Sequence, residues 1–254
     1  MAPHPLAQQF ASVAGEYERG RPECPPAVIG ALAAELGVPA GAPVLDLGAG
    51  TGKLTRALRA GGYDVLAVEP LASMRELLAE RLGPDRVLDG TAEQIPLADG
   101  SVAAVTVADA FHWFDQPAAL AEIRRVLRTG GGLAVVTTMP DWTGVSWADE
   151  LGKLMLAELK GARTKHPGFD GPPWQDAVRA ADGFGEPREF RLTVSLPSSA
   201  ERIADHMAST SWIAALPDDR RDGVKARIRE LLAGDEVPAE MPFHYSLGLT
   251  SITS

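Results

Sequence analysis

Between residues 43 and 138, short apolar and β-branched runs alternate with longer segments whose apolar positions recur at helical spacing. That alternation predicts strand-helix-strand units on a parallel sheet. The runs PVLDL (43–47), DVLAV (64–68), RVL (86–88), SVAAVTVA (101–108) and LAVVTT (133–138) read as five strands. Between them, a helix is predicted from Lys53 to Ala60, closed by Gly61 and Gly62. A second runs from Leu71 to Leu82, with Leu77, Leu78 and Leu82 on one side and Gly83 and Pro84 after it. A third runs from Pro117 to Leu127 and ends at the glycines 130–132.

After residue 139 the rhythm changes. Residues 141–185 carry Trp142, Trp147, Trp174 and the turn GPPW (171–174), with no further strand-helix-strand unit. EFRLTVSL (189–196) alternates as a strand, 199–233 reads as two helices broken at Pro217, and MPFHYSLGL (241–249) is a last strand. The expected fold class is α/β, a doubly wound, mostly parallel seven-stranded sheet with helical lid insertions, in one domain over 1–254. Within it, 1–30 is expected to form a helical cap and 40–140 the ligand-binding core. The segments 141–185 and 198–235 are expected to fold over the carboxyl edge of the sheet as lid and acceptor pocket.

Composition narrows the partners. With 254 residues, 45% hydrophobic and 23% charged, the chain has the make-up of a soluble protein with a sizeable core. Its net charge of −10 argues against nucleic-acid or anionic-membrane binding, which rewards clustered Lys and Arg. The densest basic stretch, Arg220 to Arg229, is interleaved with Asp222 and reads as a solvated helix face. No apolar run approaches the roughly 20 residues that span a bilayer. The start MAPHPLAQQF does not read as a signal peptide, so a cytoplasmic monomer or homodimer is expected. Cys24 is the single cysteine, and no His-x₃-His or carboxylate cluster stands out, so neither a disulfide nor a metal site is expected.

VLDLGAGTG (44–52) sets glycines 48, 50 and 52 between a strand and a helix, so the backbone turns tightly and can approach a ligand closely. A dinucleotide fingerprint would place its third glycine at 53, where Lys53 stands. A Walker-type loop built on Gly52 and Lys53 requires a glycine five residues before that pair and Ser or Thr after it; the chain has Leu47 and Leu54. The pattern that does match, Asp46 followed by Gly48, Gly50 and Gly52, resembles the first motif of class I S-adenosylmethionine-dependent methyltransferases.

Further likenesses follow in order. Glu69 ends the second strand, where a carboxylate can accept hydrogen bonds from both ribose hydroxyls. GTAEQIPLADGSV (90–102) resembles the family's adenine-binding segment, with Ala92 and Glu93 in place and Thr91 where Asp is commoner. RRVLRTGGGLAVV (124–136) matches the family's helix, glycine turn and fifth strand. The most detailed likeness is to small-molecule enzymes of the ubiquinone and trans-aconitate types (methyltransferase type 11-like), through Phe10, Tyr17, Arg21 and Pro22, the segment AFHWFD (110–115), and HMASTSWIAALPDDRR (206–221). The resemblance covers nearly the whole chain.

It implies S-adenosyl-L-methionine as cofactor, S-adenosyl-L-homocysteine as product and a small-molecule acceptor, with oxygen as the accepting atom of a carboxylate or phenol. The alternative is a protein that binds this cofactor for regulation or for a non-methylating reaction. The cofactor-binding residues it implies are Tyr17, Arg21, Asp46, Gly48, Ala49, Gly50, Glu69, Pro70, Ala92, Glu93, Ala110 and Phe111. His112, just past the fourth strand, is the candidate catalytic residue, and three roles stay open for it: general base or acceptor hydrogen-bond partner, part of the cofactor wall, or a ring packed among aromatics. Tyr17 and Arg21 read as residues of a closing N-terminal helix. By location alone, Trp142, Trp147, His206 and Trp212 are candidates for the acceptor pocket, each read more readily as core. His4, His166 and His244 have no interpretable spacing.

Overall fold

In a computed structural model describing residues 4–159, 171–233 and 236–253, the seven predicted runs assemble into one sheet. They are β1 (Pro43–Leu47), β2 (Asp64–Val68), β3 (Val87–Leu88), β4 (Val102–Ala108), β5 (Leu127–Pro140), β6 (Arg188–Pro197) and β7 (Glu240–Ser251). Their order is β3-β2-β1-β4-β5-β7-β6. The first five pair in parallel, and β7 runs antiparallel to both β5 and β6. Residues 160–170, part of the expected lid insertion and including His166, lie outside the described residues.

Strands β1 and β4 read as near-continuous apolar runs because both of their faces are covered. On one face, α3 (Pro26–Leu36) and α4 (Lys53–Ala60) pack Val28, Leu32, Leu54 and Leu58 against Val44, Ala104 and Val136. On the other, α6 (Gln116–Val126) packs Leu120, Ile123 and Val126 against Leu45, Leu47, Val105 and Leu133. Helix α5 (Ala72–Leu82) adds Leu78 and Leu82 against Ala67. Each such buried side chain contributes about 1.5–3 kcal/mol of transfer free energy. α8 (Trp174–Ala180) closes the α6 face through Val178.

The segments expected to form a lid share a core of their own. Trp147, just before α7 (Ala148–Leu159), and Leu151 and Met155 within it meet Ile203 of α9 (Ala200–Ala208), Ile213 of α10 (Ser211–Ala214), and Val224 and Ile228 of α11 (Asp218–Ala233). Region 199–233 is therefore three helices rather than the two expected. The extra break arises where the hydroxyls of Ser209 and Thr210 donate to the carbonyls of His206 (2.7 Å) and Met207 (2.8 Å), competing with helical continuation. The glycines 130–132 also differ from expectation: they lie inside β5, whose register jumps between the pairs Val102–Leu127 and Ala104–Gly132. Gly130 is left-handed (φ 73°) at this bulge.

The N-terminal cap comprises α1 (Pro5–Gln8), a 3₁₀ turn over Gln9–Val13 and α2 (Ala14–Gly20), while α3 packs on the sheet. Ion pairs hold α2 from two sides. Toward the core, Glu18 pairs with Arg56 and Arg81, and Lys53 donates to the Glu18 carbonyl (2.8 Å) and to Glu23 (2.7 Å). Toward the lid, Asp205 of α9, 2% exposed, accepts from Arg19 (2.7 Å) and pairs with Lys225 (2.9 Å). Gly20 permits this approach: a Cβ there would stand 2.1 Å from the backbone nitrogen of His206.

Gly20→Ala should accordingly cost about 1–3 kcal/mol by forcing α2 and α9 apart. The control is Gly30→Ala, where the added methyl meets no atom within 4 Å on an exposed face of α3. It should gain about 0.4–1 kcal/mol through the unfolded chain; thermal melts of the two variants should move in opposite directions. Burial pushes the Asp205 carboxyl up, but Arg19 and Lys225 outweigh it and hold the group below its ordinary range. A depressed carboxylate stabilises the fold above its unfolded value near 3.9, and that contribution is lost as pH falls through the folded value. Asp205→Asn should thus cost about 1–3 kcal/mol at pH 7. In denaturant titrations the deficit should shrink below about pH 4.

Candidate functional site

The carboxyl ends of β1, β2, β4 and β5 open into one cleft of about 340 Å³, roofed by the cap and the lid. Its floor is the loop after β1, where Gly48 (φ 68°), Gly50 (φ 58°) and Gly52 (φ 89°) are all left-handed. Gly48 and Ala49 donate to the Val68 carbonyl (2.9 and 3.1 Å), which ties the loop to the end of β2. A Cβ at Gly48 would stand 3.0 Å from that of Ala110, and one at Gly52 would strike Leu78 at 2.3 Å. Lys53, the residue that breaks the dinucleotide pattern, begins α4 and anchors the cap over this loop.

Glu69 closes the next strand with its carboxylate 4% exposed. One oxygen accepts from the Gly50 N–H (2.8 Å) and the other from the Leu71 N–H (2.9 Å). Burial pushes its pKa up to about 7 against the pull of those two donors and of Arg75. Past β3, Thr91, Ala92 and Glu93 line the cleft. The Thr91 hydroxyl is buried and has no hydrogen-bond partner among the described residues. The Glu93 carboxylate accepts from the Asp115 N–H (2.9 Å) and so braces the start of α6.

The cap supplies Tyr17 and Arg21. Tyr17 lies in α2, its hydroxyl pKa pushed up to about 12 by burial, with Phe10 edge-on at 5.9 Å. Arg21 is the extended residue just past that helix, not within it. Its guanidinium stands 5.4 Å over the Tyr17 ring and donates to Ser209 Oγ (3.1 Å). Below it, Asp109 at the exit of β4 is the one left-handed non-glycine residue among those described (φ 50°). Asp109 accepts from the Thr138 N–H (2.9 Å), and burial raises its pKa against the opposing charge of Arg21. It lines both the cleft and a neighbouring cavity of about 60 Å³. Asp109 escapes sequence reasoning: the available signal is a short polar residue ending an apolar strand, at a position Asp tolerates with positive φ.

Of the implied cofactor residues, Tyr17, Arg21, Gly48, Glu69, Pro70, Ala92, Glu93 and Ala110 line the main cleft. Ala49 lines the smaller cavity, and Gly50 meets the site through its N–H on Glu69. Two more of the implied residues do not line the main cleft. The Asp46 carboxylate, 1% exposed, lies beneath the loop and accepts from Thr55 (2.5 Å) and Thr106 (3.4 Å); burial pushes its pKa to about 6. It braces the strand end and lines the smaller cavity together with Ala49. Phe111, 3% exposed, turns its ring into the core beside Phe114, because one 3₁₀ turn over Phe111–Trp113 brings positions 111 and 114 to the same side.

His112 and Trp113 come from that same turn and line the cleft, their rings 4.6 Å apart. Opposite, His206 of α9 lines the cleft near Trp142. Burial and the Arg21 charge hold its pKa well below the ordinary value, so its imidazole is neutral. Trp142 and Trp212 line the cleft, whereas Trp147 is buried in the lid core. His4 joins the cleft wall beside Trp113 (5.4 Å); His244 lies elsewhere, bonded to Thr193 (2.9 Å) and Asp141 (3.2 Å). Among the described residues there is no His, Cys, Asp and Glu group able to hold a metal ion, and no helix long and apolar enough to cross a membrane.

Residues 45–135 match the family model described as a methyltransferase domain. Over 229 residues the chain is 39% identical to an uncharacterized methyltransferase of Mycobacterium tuberculosis, covering 90% of this chain and 87% of that relative. Over 133 residues it is 37% identical to the malonyl-[acyl-carrier protein] O-methyltransferase of Pectobacterium atrosepticum, covering 52% of each. The fold superimposes on a structure described as a type II methyltransferase from Anaeromyxobacter dehalogenans, with TM-score 0.56 and 26% identity, over 91% of this chain and 97% of that one.

Proposed function

The chain belongs to the class I S-adenosylmethionine-dependent methyltransferases, and from that premise we propose that it methylates an oxygen of a small-molecule acceptor held in the cleft. The observation that carries this reading is that Glu69 and His112 line one cavity. A buried carboxylate and an imidazole thus share one space, lined also by residues of the N-terminal segment and of α9 and α10.

The residues present fit the donor. Each Glu69 oxygen already accepts one backbone N–H and keeps a lone pair for a ribose hydroxyl. The buried, unpartnered Thr91 hydroxyl suits the adenine edge, with Pro70 and Ala92 as apolar walls. At the other end, Asp109 suits the ammonium and Arg21 the carboxylate of the amino-acid tail, beneath Tyr17. The left-handed glycines leave room where a Cβ would intrude.

S-adenosylmethionine brings an activated methyl group and a good leaving group. The chain's own task is to align the acceptor oxygen, exclude water and take up the proton that oxygen releases. His112 fills the last role: its imidazole lies at the sheet edge in the cleft lining, and an imidazole nitrogen can accept the proton an attacking hydroxyl releases. The O-methyltransferase of Pectobacterium supports oxygen as the accepting atom. The net charge of −10 supports a small molecule over a nucleic acid.

Two outcomes test the reading. Ribose hydroxyls donate to ionised Glu69, whose pKa is about 7, so below pH 7 a proton must leave before the nucleoside binds. Calorimetry should show affinity for S-adenosylhomocysteine falling by up to about tenfold per pH unit from pH 7 toward pH 5, with Glu69→Gln weak and flat. Equal wild-type affinity at pH 5 and pH 8 contradicts the role. His112→Ala should keep that affinity within about tenfold, under ~1.4 kcal/mol, and lower turnover at least as much. Unchanged turnover removes His112 from the chemistry.

A further inference from the structure

Resting on the methyl-transfer reading, we propose that the acceptor is an uncharged, flat aromatic molecule bearing a hydroxyl group, a phenol or naphthol, rather than a carboxylate. The cleft has two chemically distinct ends that meet at Asp109. Toward β2 and β3 its lining offers Glu69, Thr91 and Glu93. Past β4 and β5, beneath the lid, it offers Trp113, Met139, Trp142, Met207 and Trp212. Indole faces and thioethers stack on planar rings, and methionine adapts to their outline.

The polar groups at that end are the imidazoles of His112 and His206 and the hydroxyls of Thr210 and Ser211. His206 is uncharged because it is buried beside Arg21. Among the described residues lining the cleft, the charged groups other than imidazole are Arg21 and the three carboxylates Glu69, Glu93 and Asp109. Arg21, which suits the carboxylate of the donor's amino-acid tail, also meets the Tyr17 ring, Ser209 Oγ and the charge of Asp109. A carboxylate acceptor would leave water for an aromatic wall that carries no Lys or Arg among the described residues, so no fixed cation among them offsets its desolvation. An ammonium acceptor has no lone pair to attack with and would approach the cofactor's sulfonium.

A neutral hydroxyl avoids both problems. Its oxygen lone pair forms the new O–CH₃ bond, the C–S electron pair goes to sulfur, and the hydroxyl proton passes to the His112 imidazole and then to water. Every atom is supplied by acceptor, cofactor and imidazole.

The test uses the whole protein saturated with S-adenosylhomocysteine and three probes of one shape: 2-naphthol, 2-naphthoate and 2-naphthylmethylamine. Calorimetry should show the naphthol binding at least about tenfold tighter than either charged probe. Trp142→Ala should weaken naphthol binding by about tenfold or more while leaving S-adenosylhomocysteine affinity unchanged. Met139→Arg, which adds a cation at a 54% exposed position on the cleft rim, should narrow the gap between naphthoate and naphthol without touching the lid core. Naphthoate or amine binding as tightly as naphthol to the wild type, or no naphthol binding to the loaded protein, overturns the proposal. Failure of S-adenosylhomocysteine itself to bind overturns instead the cofactor reading on which it rests.

Discussion

The carboxylate of Glu69 accepts one backbone N–H from the glycine loop and another from the residue two places on, and this pair of hydrogen bonds shapes the mouth of the sheet. It fastens the exit of β1 to the exit of β2, and it holds a carboxylate in an almost fully buried place. The arrangement works because the glycines can adopt left-handed backbone. Burial and the two donors act on Glu69 in opposite directions, and burial prevails. The group is left near neutrality, where a ligand that offers hydroxyl donors can decide its ionisation.

The rest of the cleft is assembled around that fixed floor by parts the sheet does not itself supply. The cap is pinned to the core through Lys53, Arg56 and Arg81, and to the lid through Asp205. Exposed pairs of this kind contribute little individually. Asp205 differs, since it is buried between two cations, and losing its carboxylate would leave Arg19 and Lys225 facing one another without compensation. Because Tyr17 and Arg21 ride on the cap and His206 adjoins Asp205 on α9, the same contacts that hold cap to lid also set the distance between the two ends of the cleft.

Strands β1 and β4 and the glycine loop were legible because continuous apolar runs and closely spaced glycines leave few alternatives. The glycines 130–132 were harder: glycine stops helices and also makes bulges, and the pairing partner on β4 decides between them. The run from Phe111 to Phe114 shows the limit at side-chain level. Sequence places the whole run at the sheet edge, but only the 3₁₀ turn sends Phe111 into the core and His112 and Trp113 into the cleft. Asp46 belongs to the motif and lies under the loop, where a buried carboxylate takes the hydroxyls of Thr55 and Thr106. Asp109 carried no motif at all, because its importance follows from backbone geometry and from Arg21, which is distant in sequence.

The proposed site has Glu69 and the glycine loop holding a nucleoside whose sulfur faces the aromatic end of the cleft. A crystal structure of the protein with S-adenosylhomocysteine tests it most directly. Both ribose hydroxyls should lie on the Glu69 carboxylate, the adenine edge beside Thr91, and the sulfur open toward His112 and Trp142. A nucleoside bound away from Glu69, or with its sulfur walled off from His112, would contradict it.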